Sequence, residues 1–193
     1  DRDVLLRFGI PAFFAALLGA YLLLQITDWK PLYSYMIGSR QFTITPVKLI
    51  VALLLICFAI MEATPGFRNF QFGKDKLIVG GILSGFFGGL SGNQGALRSA
   101  FLIKSGLSKE SFIATGVVIA CIVDFSRLGI YMTRFSQSGL QANITLVLAA
   151  TLSAFAGAFL GSKLLKKVTL SAVQALVTVL LVVLSLALGL GLI

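Results

Sequence analysis

The 193 residues contain no histidine. That removes the commonest general base and the commonest transition-metal ligand, and with them any Ser–His dyad. Acidic side chains are scarce too, at seven Asp and Glu against sixteen Lys and Arg. With a single Asp far from any segment end, an aspartyl pair cannot form. An enzyme is therefore not expected, and neither a metal site nor a cofactor is implied. Charged residues make up only 12% of the chain, too little polar surface for a water-soluble domain of this size. The two cysteines, Cys57 and Cys121, each lie inside an apolar run. They read as small core residues and give no disulfide framework. No charged region or cleavage site precedes the first apolar block, and the chain starts at Asp1, so its native N-terminus is expected upstream.

What is present is apolar. Hydrophobic residues reach 58% and the mean hydropathy is +0.98. They fall in blocks of about twenty, the length that crosses a hydrocarbon core of roughly 30 Å. The blocks cover 8–26, 46–63, 77–104, 109–133, 144–165 and 170–193. The expected fold is an all-α polytopic transmembrane helix bundle. Pro11 lies in the first turn of the first block, where a missing N–H is tolerated, and Pro46 suits a first helical position. Between them, 27–45 is polar and aromatic, and Trp29, Tyr33 and Tyr35 suit the headgroup level. Lys48 and Glu62, near the ends of 46–63, read as interfacial side chains that snorkel. The net charge of +9 sits between blocks, with no basic stripe of interleaved aromatics, so nucleic acid is not an expected partner. The lipid bilayer is.

The block 77–104 is interrupted by Gly88-Gly89-Leu90-Ser91-Gly92-Asn93-Gln94-Gly95. Four glycines in eight residues disfavour a continuous helix by roughly 1 kcal/mol each relative to alanine. Two half-helices, 77–90 and 94–104, are expected, each too short to span. If the block crossed the membrane, basic residues near segment ends would divide six to eight. If it dips in and returns, one side holds Arg2, Arg7, Arg68, Lys74, Lys76, Lys104, Lys109, Lys163, Lys166 and Lys167, and the other only Lys30, Arg40, Lys48 and Arg134. The positive-inside rule prefers the second arrangement. It makes 77–104 a re-entrant hairpin, with the ten-charge side cytoplasmic and Ile193 outside.

Irregular backbone at membrane depth is tolerated only within protein or beside a cavity. The break therefore predicts a cavity into which the second half-helix points its free N–H groups and positive dipole end. Ser91, Gly92, Asn93 and Gln94 add donors, and Arg98 lies one turn on, on the face of Gln94. Such a set suits a small oxyanion; the alternative is a tight turn whose arginine pairs with a carboxylate or carbonyl. On 109–133, Asp124 and Arg127 share a face. A charge at the centre of a spanning helix costs about 2.5–3.5 kcal/mol, so they are expected to serve either as coupling carboxylate and second anion contact, or as an ion pair that sets helix register. Gly116, Ala120 and Cys121 lie on the face of Asp124 and would let 77–104 approach. Close packing is also expected at Gly81, Gly85 and Gly89, at Ala12, Ala16 and Ala20, and at Ser153, Gly157 and Gly161. Phe86, Phe87 and Phe101 flank the break as packing residues or as a gate.

A faint repeat joins Leu18-Gly19-Ala20-Tyr21-Leu22-Leu23 to Leu160-Gly161-Ser162-Lys163-Leu164-Leu165; duplicated halves are common in secondary transporters. Together with the stretch from Gly80 through the break to Arg98, with Gly106-Leu107 and with Ala114-Thr115-Gly116, this resembles the sulfite exporter TauE/SafE (TSUP) family. The chain departs from the commoner Gly-Gly-Gly break in Asn93-Gln94 and has Ala100 where many relatives have proline. The resemblance implies an inverted-repeat transporter of sulfite, sulfonates or other sulfur-containing or organic anions. It further implies that 1–64 holds the last two helices of a first repeat whose broken segment would precede Asp1, and that 77–193 forms the second repeat. The expected function is secondary transport of a small anion, coupled to protons through Asp124, in the inner (plasma) membrane. A channel or a non-transporting subunit is the alternative, and a homo-oligomer is compatible with either.

Overall fold

The computed structural model describes residues 1–64, 72–134, 144–164 and 170–193. It is an all-α bundle with one small sheet. In chain order the elements are α1 (Arg2–Thr27), β1 (Tyr33–Ile37), β2 (Arg40–Ile44), α2 (Pro46–Ala63), a 3-10 turn (Lys74–Lys76), α3 (Leu77–Ser91), α4 (Gly95–Leu102), α5 (Lys109–Met132), α6 (Ile144–Leu164) and α7 (Leu170–Gly189). Among the described residues four helices are long and apolar enough to cross a membrane: α1, α2, α5 and Ile144–Gly161 of α6.

Helix α1 starts earlier than its apolar block. The Asp1 carboxylate caps it by accepting from the Val4 N–H at 3.1 Å, and Arg7 pairs with Asp3 one turn apart at 2.8 Å. These contacts extend the helix over a polar turn. Pro11 therefore sits inside the helix rather than in its first turn. Its ring removes the N–H that would otherwise bond the Arg7 carbonyl.

The stretch after α1 was read only as polar, with aromatic rings at the headgroup level. It instead forms an antiparallel hairpin with Tyr35 opposite Phe42 and Ile37 opposite Arg40. The two-residue turn is Gly38-Ser39, and Gly38 takes a φ of 62°, which suits the first central position of a II′ turn. Tyr33, Tyr35 and Phe42 stack along one face. The alternation of Tyr33, Tyr35 and Ile37 carries the strand period.

Helix α1 meets α3 through glycine. A methyl added to Gly81, Gly85 or Gly89 would overlap the backbone of Phe8, Ala12 or Ala16 respectively, and one added to Gly19 would overlap the Phe86 carbonyl. The pairs advance together by four residues, so the two helices run parallel. Helix α5 runs the same way: the Asp1 amino group donates to Thr115 Oγ1 at 3.2 Å, and Arg134 pairs with Asp28 at 2.5 Å. The core lies where α1, α3, α4 and α5 meet, around Phe8, Ala12, Ala16, Leu77, Phe101, Leu102, Ile119 and Val123. Helix α7 packs on α2. The Ser185 hydroxyl donates to the Ala52 carbonyl at 3.0 Å, and Tyr35 donates to the Leu190 carbonyl at 2.5 Å.

These contacts sort the basic residues by end. Arg2, Arg7, Lys74, Lys76, Lys104 and Lys109 lie at one end; Lys30, Arg40, Lys48 and Arg134 lie at the other, the end that also holds Ile193. Arg68, Lys166 and Lys167 fall outside the described residues.

Two packing expectations need correction. No described atom lies within 4 Å of a methyl placed on Gly157 or Gly161, so the small-residue stripe of α6 faces open surroundings. Cys57 and Cys121 are exposed, so neither is a core residue and Cys121 does not serve the approach of the hairpin. A thiol is apolar enough to face acyl chains.

Candidate functional site

Helix α3 ends at the predicted break. Gly92 closes it with φ 77° and a left-handed backbone, its N–H bonding the Gly88 carbonyl at 2.8 Å. Glycine adopts that conformation without the Cβ penalty. The Ser91 hydroxyl donates back to the Phe87 carbonyl at 2.9 Å and accepts from the Asn93 N–H at 3.3 Å. Two residues later α4 begins, with Gln94 as its cap.

The chain then returns along α3. Gln94 lies against Gly88, and Phe101 lies against Gly80. The Phe72 N–H donates to the Ala100 carbonyl at 3.1 Å, and the Phe72 and Phe101 rings stack at 4.3 Å. Residues 72–76 and 103–106 therefore share one end, as a re-entrant hairpin requires. At 15 and 8 residues its arms are about 22 and 12 Å long, both short of the roughly 30 Å core.

Beside the hairpin is a cavity of about 1120 Å³. Around the break it is lined by Ser91, Gly92, Asn93, Gly95 and Arg127; toward the end where α2 finishes are Glu62 and Ile103, with Leu181 of α7 among its apolar walls. Arg127 reaches the break from α5: a methyl on Gly92 would overlap its guanidinium. The guanidinium carbon stands 5.9 Å from the centre of the Tyr131 ring, and the Tyr131 hydroxyl donates to the Gly89 carbonyl at 3.3 Å. Arg127 Nη2 lies 3.4 Å from Asp124 Oδ1.

The structure divides the expected site residues between two faces of the hairpin. Ser91, Gly92, Asn93 and Arg127 line the cavity. Gln94 is buried against α3, and Arg98 turns toward α5, where a methyl on Gly116 would stand 3.6 Å from its Nε. The 94/98 face meets α3 and α5 rather than the cavity. Four buried polar atoms near the break, Ser84 Oγ, Gln94 Oε1, Arg98 Nη1 and Arg127 Nε, find no hydrogen-bond partner among the described residues. Of the phenylalanines, Phe101 lines the cavity and packs on Phe72, whereas Phe87 packs edge-on against Phe58. Sequence reasoning missed Tyr131 and set Glu62 aside as interfacial. Tyr131 had a signal: it lies one turn after Arg127.

The model of one protein family, Sulfite exporter TauE/SafE, matches residues 1–188. The chain belongs to the TauE/SafE family. No curated protein and no solved structure matches it. As a TauE/SafE protein with several apolar helices, it is a multi-pass membrane protein of a sulfite-exporter type of transporter family. Among the described residues no three His, Cys, Asp or Glu side chains converge as metal ligands.

Proposed function

We propose that this TauE/SafE chain is a secondary transporter of a small anion, of which sulfite or a sulfonate is the leading class, in the inner (plasma) membrane. The observation that carries the reading is the meeting of Arg127 with the Ser91–Asn93 break in the wall of the cavity. A guanidinium and the Asn93 side-chain amide there, in a medium of low dielectric, favour an anion strongly. The anion contacts are Arg127 and the Asn93 side-chain amide; Gly92 leaves the space they share, and the Ser91 hydroxyl joins them on releasing the Phe87 carbonyl. Gln94 and Arg98 act from the other face of the hairpin. Asp124, 3.4 Å from Arg127, competes with the anion while ionised. A proton on Asp124 frees Arg127, which couples transport to pH.

In this reading 1–64 forms the end of a first repeat and 77–193 the second. Supporting it, Gly19 of the Leu-Gly-Ala sequence in α1 packs on α3, while its counterpart Gly161 in α6 has open space.

The test is a flux screen with the purified full-length protein in liposomes, using sulfite, thiosulfate, taurine and sulfoacetate. At least one anion should enter with saturating kinetics. Liposomes with protein that take up none of the four faster than empty ones would overturn the reading.

A further inference from the structure

Tyr131 lies in the last turn of α5, four residues after Arg127, and Asp124 lies three residues before it. The three side chains therefore share one face of the helix, with Arg127 between a carboxylate and an aromatic ring. The guanidinium reaches across to the end of α3, where a methyl on Gly92 would overlap Nη1. An arginine side chain has many rotamers, and ordering it costs entropy, so its neighbours decide how firmly it stays there. Asp124 holds it loosely. Their 3.4 Å contact exceeds the roughly 2.7–2.9 Å of a well-formed charge-assisted bond, and the Asp124 side chain is 48% exposed. Arg127 Nε is buried and finds no hydrogen-bond partner among the described residues. The Tyr131 ring is the remaining restraint. Its centre stands 5.9 Å from the guanidinium carbon, within cation–π range. A ring attracts the guanidinium without accepting its N–H groups in the way a carboxylate does, so they stay available to an anion.

The Tyr131 hydroxyl has a separate partner. Helix α3 runs toward the break, so its last carbonyls and the negative end of its dipole lie beside the anion contacts. Uncovered carbonyls there would repel an anion. The Gly88 carbonyl is taken by the Gly92 N–H at 2.8 Å. The Asn93 N–H, next in line for the Gly89 carbonyl, turns instead to Ser91 Oγ at 3.3 Å. Tyr131 supplies the donor to Gly89 from α5, at 3.3 Å. One side chain thus touches both the arginine and the end of the helix that the arginine approaches.

We propose that Tyr131 is a positioning residue of the anion site: its ring holds the Arg127 guanidinium beside Gly92, and its hydroxyl covers the Gly89 carbonyl. Tyr131 does not touch the anion. The proposal rests on the reading of Arg127 as the anion contact. A carboxylate can hold Arg127 only by competing with the guest, whereas the ring holds it without competing.

The experiment measures sulfite flux at fixed pH by the full chain in liposomes, for wild type, Tyr131→Phe and Tyr131→Leu, each also in an Arg127→Lys background. Tyr131→Leu loses ring and hydroxyl, and KM should rise about tenfold, the combined scale of one cation–π contact and one neutral hydrogen bond. Tyr131→Phe keeps the ring, and KM should rise about threefold. In both, kcat should stay within about twofold of wild type. Lysine lacks the planar guanidinium that stacks on a ring, so in the Arg127→Lys background Tyr131→Leu should raise KM no more than Tyr131→Phe does. A tenfold rise in both backgrounds, or a fall in kcat at unchanged KM, would overturn the proposal. If Tyr131→Leu fails to insert, Tyr131→Phe decides, and an unchanged KM there would overturn it. Thermal unfolding in detergent without anion separates this idea from the transport reading, in wild type, Tyr131→Leu, Arg127→Gln and their double variant. Non-additive shifts in Tm are expected, whereas additive shifts would overturn the holding contact whatever the flux. Absent sulfite flux together with non-additive shifts would support the contact and count against sulfite transport alone.

Discussion

Gly85 of α3 lies so close to Ala12 of α1 that a single added methyl would overlap the Ala12 backbone. In lipid there is little hydrophobic drive between helices, so attraction comes from such close backbone approach. Gly85→Ala should therefore destabilise the protein by about 1–3 kcal/mol, the usual cost of overpacking. Gly129→Ala on α5 is the control, since no described atom lies within 4 Å of the added methyl; it should be neutral or slightly stabilising. Unfolding midpoints in detergent compare the two, and an equal loss in both variants would contradict the packing.

At the break, Gly92 faces two constraints. Its φ of 77° costs a residue with a Cβ about 1–2 kcal/mol, and that Cβ would also push into the Arg127 guanidinium. Gly92→Ala should lose sulfite flux while still inserting. Arg127→Gln should lose it as well. Uptake that survives Arg127→Gln at the wild-type KM would show that the anion binds elsewhere.

The arrangement of ends gives a labelling prediction. In a background with Cys57 and Cys121 replaced by serine, single cysteines at Gly73 and Gly106 should react with an impermeant reagent from one side. Cysteines at Gly38 and Ile193 should react from the other. By the positive-inside rule the first side is cytoplasmic. Opposite accessibility at Gly73 and Gly106 would be incompatible with a hairpin that returns.

Trp29 is the chain's single tryptophan and is 61% exposed, next to the β-hairpin. Indoles favour the headgroup level. In liposomes its fluorescence should be quenched more by bromines high on the acyl chain than by bromines near the chain end. Stronger quenching from the chain end would place this part of the protein at the wrong depth.

Asp124→Asn should leave sulfite flux without the pH dependence of the wild type, because Asp124 is the carboxylate beside the cavity's arginine. Flux measured across a pH series checks it. A pH profile that survives the substitution would remove Asp124 from coupling.

Much of the bundle was legible because membrane insertion imposes local rules. Thr45 and Pro46 open α2, and Ser108 caps α5 by accepting from the Ser111 N–H at 3.2 Å. The glycine run marked the break because backbone entropy is a property of the residue itself. The β-hairpin was missed because five-residue strands leave a short alternation, and here it was read only as aromatics at an interface. Pro11 was misplaced because the apolar block, not the cap at Asp1, was taken to start the helix.

Which charges meet was a different matter. Arg98 shares a helical face with Gln94, and that is a matter of spacing alone. That this face turns to α3 and α5, leaving Arg127 at the cavity, depends on how four helices pack. Block length, glycine content and the distribution of Lys and Arg are local, and they were enough for membrane residence, for the broken segment and for its return to the side it entered. The register of α1 and α3 rests on glycine contacts between residues about seventy positions apart in the chain. Only the folded structure brings those together, and so only it decided which arginine lines the cavity and which turns toward α5.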